Sequence, residues 1–173
     1  MESANRAPRS YYLESNAWIN LGNDSMLYKS LMERHSRGQI SIVTAMQVVD
    51  ELVTKPELTQ IQAGTNRMLL EPFLDDMVDD RLFILDVSLL DGAGLGSRSA
   101  NDLYAAHVNK KQGKNDFRDG IHLVNAVTSG ATLVTCDIKL RLSAQRIGVQ
   151  FLCLADFAAE CNLGAPYNCP GCK

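Results

Sequence analysis

Four acidic residues carry the chemistry that this chain can do: Glu14, Glu51, Asp119 and Asp137. Each stands beside a segment that reads as part of a parallel α/β fold. Glu14 follows the apolar run Tyr11-Tyr12-Leu13 directly, and Asp137 follows Thr132-Leu-Val-Thr-Cys136. Asp119 lies in the first turn of a helix that leads into that second run. Glu51 lies about two turns into the helix after Ile40-Ser-Ile-Val43. Parallel sheets place their sites at the carboxyl ends of the strands. Four carboxylates meeting there repel unless cations bind. Oxygen-rich, nitrogen-poor sites select Mg²⁺ or Mn²⁺ over zinc. Such ions activate water and stabilise an in-line phosphoryl displacement. Each acid also has a plainer reading. Asp119 or Asp116 could cap a helix, Asp137 could cap the next, and Glu51 could be a solvated helix residue. Glu14 is the least easily explained this way, because Glu is not a preferred cap.

The elements that must position these acids alternate along the chain. Strands are expected over Ser10–Leu13, Gln39–Val43, Arg81–Leu85, Thr132–Thr135 and Val149–Leu152. Helices are expected over 16–21, 25–36, 45–53, 57–70, 101–109, 116–128, 138–146 and 155–160, with Thr44 capping the third. The helix over 57–70 should turn Leu58, Ile61, Met68 and Leu69 inward, and the helix over 116–128 Phe117, Ile121, Val124 and Val127. Residues 91–99 read as a Gly- and Ser-rich loop. Apolar strands separated by helices indicate a parallel sheet covered on both faces. The expected fold is therefore α/β: a three-layer α/β/α sandwich around a five-stranded, mainly parallel sheet. A flexible N-terminus over 1–9 and a tail over 161–173 should flank one domain over 10–160.

Composition agrees with one globular domain. The chain has 173 residues, 46% hydrophobic and 21% charged, with a net charge of −3. That excludes wholesale disorder and a strongly basic nucleic-acid-binding domain. No apolar run approaches the ~18 residues of a membrane span, and the polar first ten residues lack the apolar core of a signal peptide. A cytoplasmic protein is expected. The charge is unevenly spread. Residues 50–91 hold ten acids and three bases, whereas residues 105–147 hold seven bases and three acids. Of these bases, Lys110, Lys111, Lys114 and Arg118 precede Asp119 and suit phosphate contacts. The five cysteines are scattered. Cys136, Cys153 and Cys161 sit in or beside apolar segments and read as small hydrophobes. Cys169 and Cys172 form Cys-Pro-Gly-Cys, half of a four-ligand zinc site, in a tail expected to fray.

Four blocks of the chain resemble PIN-domain nucleases. They are Tyr12-Leu-Glu-Ser-Asn-Ala-Trp18, Val49-Asp-Glu-Leu52, Asp119-Gly-Ile-His-Leu-Val-Asn-Ala126 and Gly130-Ala-Thr-Leu-Val-Thr-Cys-Asp137. The resemblance covers about residues 10 to 155, and the last two blocks are its most specific part. It implies a three-layer α/β/α fold and metal-dependent cleavage of single-stranded or structured RNA. Many members are toxins of bacterial toxin–antitoxin pairs of the VapC type, which makes an antitoxin and a homodimer candidate partners. By the resemblance Glu14, Glu51, Asp119 and Asp137 map onto the metal-binding acids. Thr135 maps onto the hydroxyl before the last acid, with Asp116 nearby as a supporting carboxylate. The first block normally carries Asp. Glu14 reaches about 1.5 Å further, one C–C bond, and Mg²⁺ tolerates displaced ligands poorly. Two functions are thus expected to compete: a Mg²⁺- or Mn²⁺-dependent ribonuclease, and a degenerate domain that binds RNA or a protein without cutting. A phospho-accepting receiver-like domain fits less well, because no strand here ends in an isolated Asp with a lysine partner.

Overall fold

The computed structural model describes residues 8–54, 58–78, 114–164, 167 and 169. Its centre is β1, Arg9–Leu13. This strand pairs in parallel with β2, Ile40–Ala45, in the register Arg9 to Ile40 through Tyr12 to Val43. On its other side it pairs in parallel with β4, Thr132–Val134, which in turn pairs with β5, Phe151–Leu152. These four strands form the main sheet. A two-residue strand, β3 at Met77–Val78, adds to the outer side of β2 and gives the order β3-β2-β1-β4-β5.

The order reverses at β1. The chain builds outward from it on one side through β2 and β3, then returns to build the other side through β4 and β5. In folds of this kind ligands bind beyond the carboxyl ends of the strands at such a reversal, here those of β1 and β4.

Successive strand residues point to opposite faces, and β1 buries both of its own. Tyr11 packs edge-to-face on Phe157 at 4.9 Å, and its hydroxyl donates to Glu160 at 2.8 Å. Both partners belong to the helix Leu154–Glu160. Tyr12 turns the other way, to the helix Lys114–Thr128, where its hydroxyl meets His122 Nδ1 at 2.8 Å. Tyr11, Tyr12 and Leu13 are all at most 2% exposed.

Seven α-helices connect and cover the strands among the described residues. They are α1 (Ser15–Gly22), α2 (Ser25–Ser36), α3 (Met46–Val49), α4 (Gln60–Leu70), α5 (Lys114–Thr128), α6 (Ile138–Ile147) and α7 (Leu154–Glu160). None is long and apolar enough to cross a membrane. Gly22 allows α1 to approach α4 closely, since a Cβ there would run into the end of the Leu69 side chain. Gly148 closes α6 in the left-handed conformation, at φ 76°, which costs glycine little.

Several local expectations change. Thr44 does not cap α3: it is buried in β2, and the cap position falls on Ala45, which makes no side-chain bond. The helix expected over 45–53 is α3 followed by a turn of π-helix, Asp50–Thr54. α4 starts at Gln60 behind a capping box of Thr59 and Gln62, the reciprocal arrangement that satisfies two free N–H groups. Its inward residue is Leu70, whereas Ile61 and Met68 are 82% and 72% exposed. Val127 on α5 also faces outward, unlike Ile121 and Val124. α5 begins at Lys114, so neither Asp116 nor Asp119 is its cap. The strand expected over 81–85, the loop over 91–99 and the helix over 101–109 lie outside the described residues.

Candidate active site at the carboxyl edge of the sheet

Glu14 stands where β1 ends and α1 begins, and it is 3% exposed. It is the N-cap of α1 after all. Its Oε2 accepts from the Asn16 N–H at 2.7 Å and its Oε1 from the Ala17 N–H at 3.1 Å. The same Oε1 accepts from Thr135 Oγ1 at 3.1 Å and from the Cys136 N–H at 3.3 Å. One carboxylate thus ties the end of β1 to the end of β4. Burial pushes the Glu14 carboxyl above the usual carboxylate range, against the opposing pull of His122 and these donors.

Glu51 comes from the π-helical turn after β2, a distortion often found at functional sites. Ser15 Oγ donates to its Oε2, and Gln47 Nε2 donates to its Oε1 at 3.2 Å. The Gln47 amide also donates to the Arg118 carbonyl at 2.9 Å, which joins α3 to α5. His122 Nε2 lies 3.5 Å from Glu51 Oε2, with the two side chains 4% and 11% exposed. Burial alone would raise the Glu51 carboxyl. The hydrogen bond and charge of His122, with Ser15 and Gln47, outweigh it and hold the group down at about 2.

His122 is the counter-charge of this edge. Burial opposes its protonation, but Glu51, Glu14 and Asp119 together raise it above the usual imidazole value. Its Nδ1 shares a hydrogen bond with Tyr12 Oη at 2.8 Å. Three of the four acids therefore act on one buried imidazole and favour its charged form. Asp119 lies one turn before it on α5 and is half-buried. The fourth acid, Asp137, joins through Thr135: its own N–H donates to Thr135 Oγ1 at 3.0 Å, while that hydroxyl donates to Glu14. Asp137 Oδ1 caps α6 by accepting from the N–H groups of Lys139 at 2.7 Å and Leu140 at 3.2 Å.

The remaining candidates separate. Arg118 is exposed on α5, one residue before Asp119. Lys114 and Asp116 lie in the first turn of α5, with their side chains outside the described set, and Lys110 and Lys111 lie outside the described residues altogether. Ser15, Gln47, Tyr12 and His122 complete the network and were not singled out from the sequence. Two helical spacings could have found two of them: Gln47 is four residues before Glu51, and His122 three after Asp119.

The donor set suits a hard divalent cation in its chemistry, being carboxylate oxygen throughout. Its arrangement is more closed. Glu14 Oε1 already takes three protein donors. Among the described residues no three His, Cys, Asp or Glu groups stand together as a ready metal site. The tail also differs from expectation, because Cys169 is 3% exposed and packs into the core with its Sγ 3.4 Å from Cys136 Sγ. No protein-family model matches this chain, and no curated protein matches it.

Proposed function

We propose that this chain is a divalent-metal-dependent ribonuclease with a PIN-like, three-layer α/β/α fold. The observation that carries the reading is the position of the acids. Glu14 and Asp137 follow the two strands that flank the reversal of sheet order, Glu51 lies 3.5 Å from His122, and Asp119 stands one turn before His122 on α5 and acts on its charge. Mg²⁺ or Mn²⁺ held by these four acids would supply an activated water and a charge clamp on the scissile phosphate. The chain's own groups do the rest. His122 and Ser15 fix the Glu51 carboxylate, Thr135 sets the spacing between Glu14 and Asp137, and Arg118 offers a cation beside Asp119 for the RNA backbone. A cytoplasmic toxin acting on cellular RNA is the narrower form of this proposal, and a homodimer or an antitoxin would be its partner.

One observation favours a second reading, RNA or protein binding without cleavage. Glu14 stands where the resembling family carries Asp, and its oxygens are taken up by α1 and the β4 turn. A single experiment separates the two. Cleavage of one labelled single-stranded RNA is followed with Mn²⁺, with Mg²⁺ and with EDTA. A nuclease cuts with metal, stops in EDTA, and loses at least a hundredfold in rate in Asp119→Asn and Asp137→Asn, about 2.7 kcal/mol or more of transition-state stabilisation. A degenerate domain binds the RNA and leaves it intact under all three conditions, and Glu14→Asp then gains cleavage.

A further inference from the structure

Glu51 and Asp119 come from different helical segments, and one side chain reaches both. Glu51 lies in the π-helical turn after α3, and Asp119 lies in α5. Gln47 is buried on α3. Its Nε2 donates to Glu51 Oε1 at 3.2 Å and to the Arg118 carbonyl at 2.9 Å. That carbonyl belongs to the planar peptide unit that leads into Asp119. A single amide therefore holds the carboxylate of one acid and the backbone of the other.

The chemistry of these partners fixes which way the amide points. A carboxylate and a carbonyl only accept, and a primary amide carries two protons on its nitrogen and none on its oxygen. Reversed, the amide would set its oxygen against two buried acceptors, a costly arrangement. In the observed orientation both protons are used. His122 Nε2, 3.3 Å from the same nitrogen, takes neither of them and faces Glu51 Oε2 at 3.5 Å. Gln47 thus sorts the neighbours of Glu51, taking Oε1 and leaving Oε2 to Ser15 and His122. Asn66 on α4 offers a comparison. It ties down the same π-helical turn by donating to the Leu52 carbonyl at 2.7 Å, a bond to backbone rather than to an acid.

We infer that Gln47 is a positioning residue that sets the separation of Glu51 and Asp119 for a divalent cation. The inference rests on the metal-dependent reading of this edge, and it adds a residue that acts through the two acids rather than on the ion or the RNA. Partners of this outer kind change metal affinity 10–100-fold when they are removed from metal sites in general.

The test reads Mn²⁺ affinity on the full chain without RNA, from the loss of the free-ion electron paramagnetic resonance signal on binding. Gln47→Met keeps the length and bulk of the side chain and removes both donors. Gln47→Asn keeps the amide and shortens its reach by about 1.5 Å, one C–C bond. Both should weaken Mn²⁺ binding at least tenfold, and the Mn²⁺ concentration for half-maximal cleavage should rise with it. Asn66→Ala should lower the urea midpoint and leave Mn²⁺ affinity at the wild-type value. Folded Gln47 variants that bind Mn²⁺ like wild type overturn the inference and leave the nuclease reading standing. So does an Asn66→Ala protein whose affinity falls as far as theirs, because any loosening of the turn would then suffice. If neither Gln47 variant folds, the two bonds serve the fold and the inference falls as well. A wild type that leaves the Mn²⁺ signal unchanged removes the metal-dependent reading itself, and this inference with it.

Discussion

The two ends of the sheet treat charge in opposite ways. At the amino edge, where Arg9, Thr132 and Phe151 open their strands, a cleft of about 840 Å³ lies between them. Its ion pair, Arg9 with Glu160 at 2.5 Å, leaves the arginine side chain 66% exposed. At the carboxyl edge Glu14 is 3% exposed, and the His122 side chain 4%. Water solvates the first pair whether or not it forms, so the pair adds little. The second set has exchanged water for a few protein donors, and the loss of any one leaves a buried charge uncompensated. The same strands therefore carry a tolerant end and an intolerant one.

Removing His122 should have the largest effect. His122→Ala leaves the buried Glu51 carboxylate without its partner at 3.5 Å, and about 3–5 kcal/mol of stability should be lost, read as a lower urea midpoint. Arg9→Ala at the other edge should leave that midpoint where it was. Equal losses at the two edges would break the comparison.

Acid and base should act on the carboxyl edge from opposite sides. Glu51 is held at about 2 against an ordinary 4.5. Its contribution is present above 4.5 and is lost as pH falls from there toward 2. For the coupled pair with His122 this amounts to about 2–3 kcal/mol. His122 is raised above 6.5. Its contribution is present below 6.5 and is lost as pH rises through the folded-state value. Glu14, also raised, acts in the same sense above 4.5. Stability measured against pH should peak between about 4.5 and 6.5, and His122→Gln should flatten both limbs. A peak unmoved in that variant would assign the pH dependence to other groups.

Asp137 gives the smallest and sharpest contrast. Asp137→Ala removes the cap of α6 and should cost about 1 kcal/mol. Asp137→Asn keeps a good cap and removes the charge. Thermal melts should therefore separate Ala from wild type and leave Asn close to it, while the proposed nuclease reading expects cleavage to fall in both.

The central strands were legible because β1, β2 and β4 are short apolar runs with both faces buried, and periodicity reports that directly. Position after such a run also pointed to Glu14 and Asp137. The cap role of Glu14 was not legible from residue preference. It depends on Thr135 and Cys136, more than 120 residues away, which pin the carboxylate over the start of α1. His122 was missed for a similar reason. Its meaning comes from Tyr12 on β1 and Glu51 beyond β2, and no local pattern records either. Ile61 and Met68 misled in the other direction, since helical spacing alone cannot distinguish an apolar stripe that is covered from one that faces outward.

The place of β1 at the centre of the sheet has a consequence for synthesis. The strand emerges first, at residues 9–13, and its first partner β2 follows within 40 residues. Its second partner, β4, is not made until residues 132–134. At ~5–20 residues per second, one edge of Tyr11-Tyr12-Leu13 therefore stays open for roughly 6–24 s on the ribosome. For that interval the nascent chain presents an apolar strand edge to its neighbours, and slowing translation between β2 and β4 should lengthen the time in which it can aggregate.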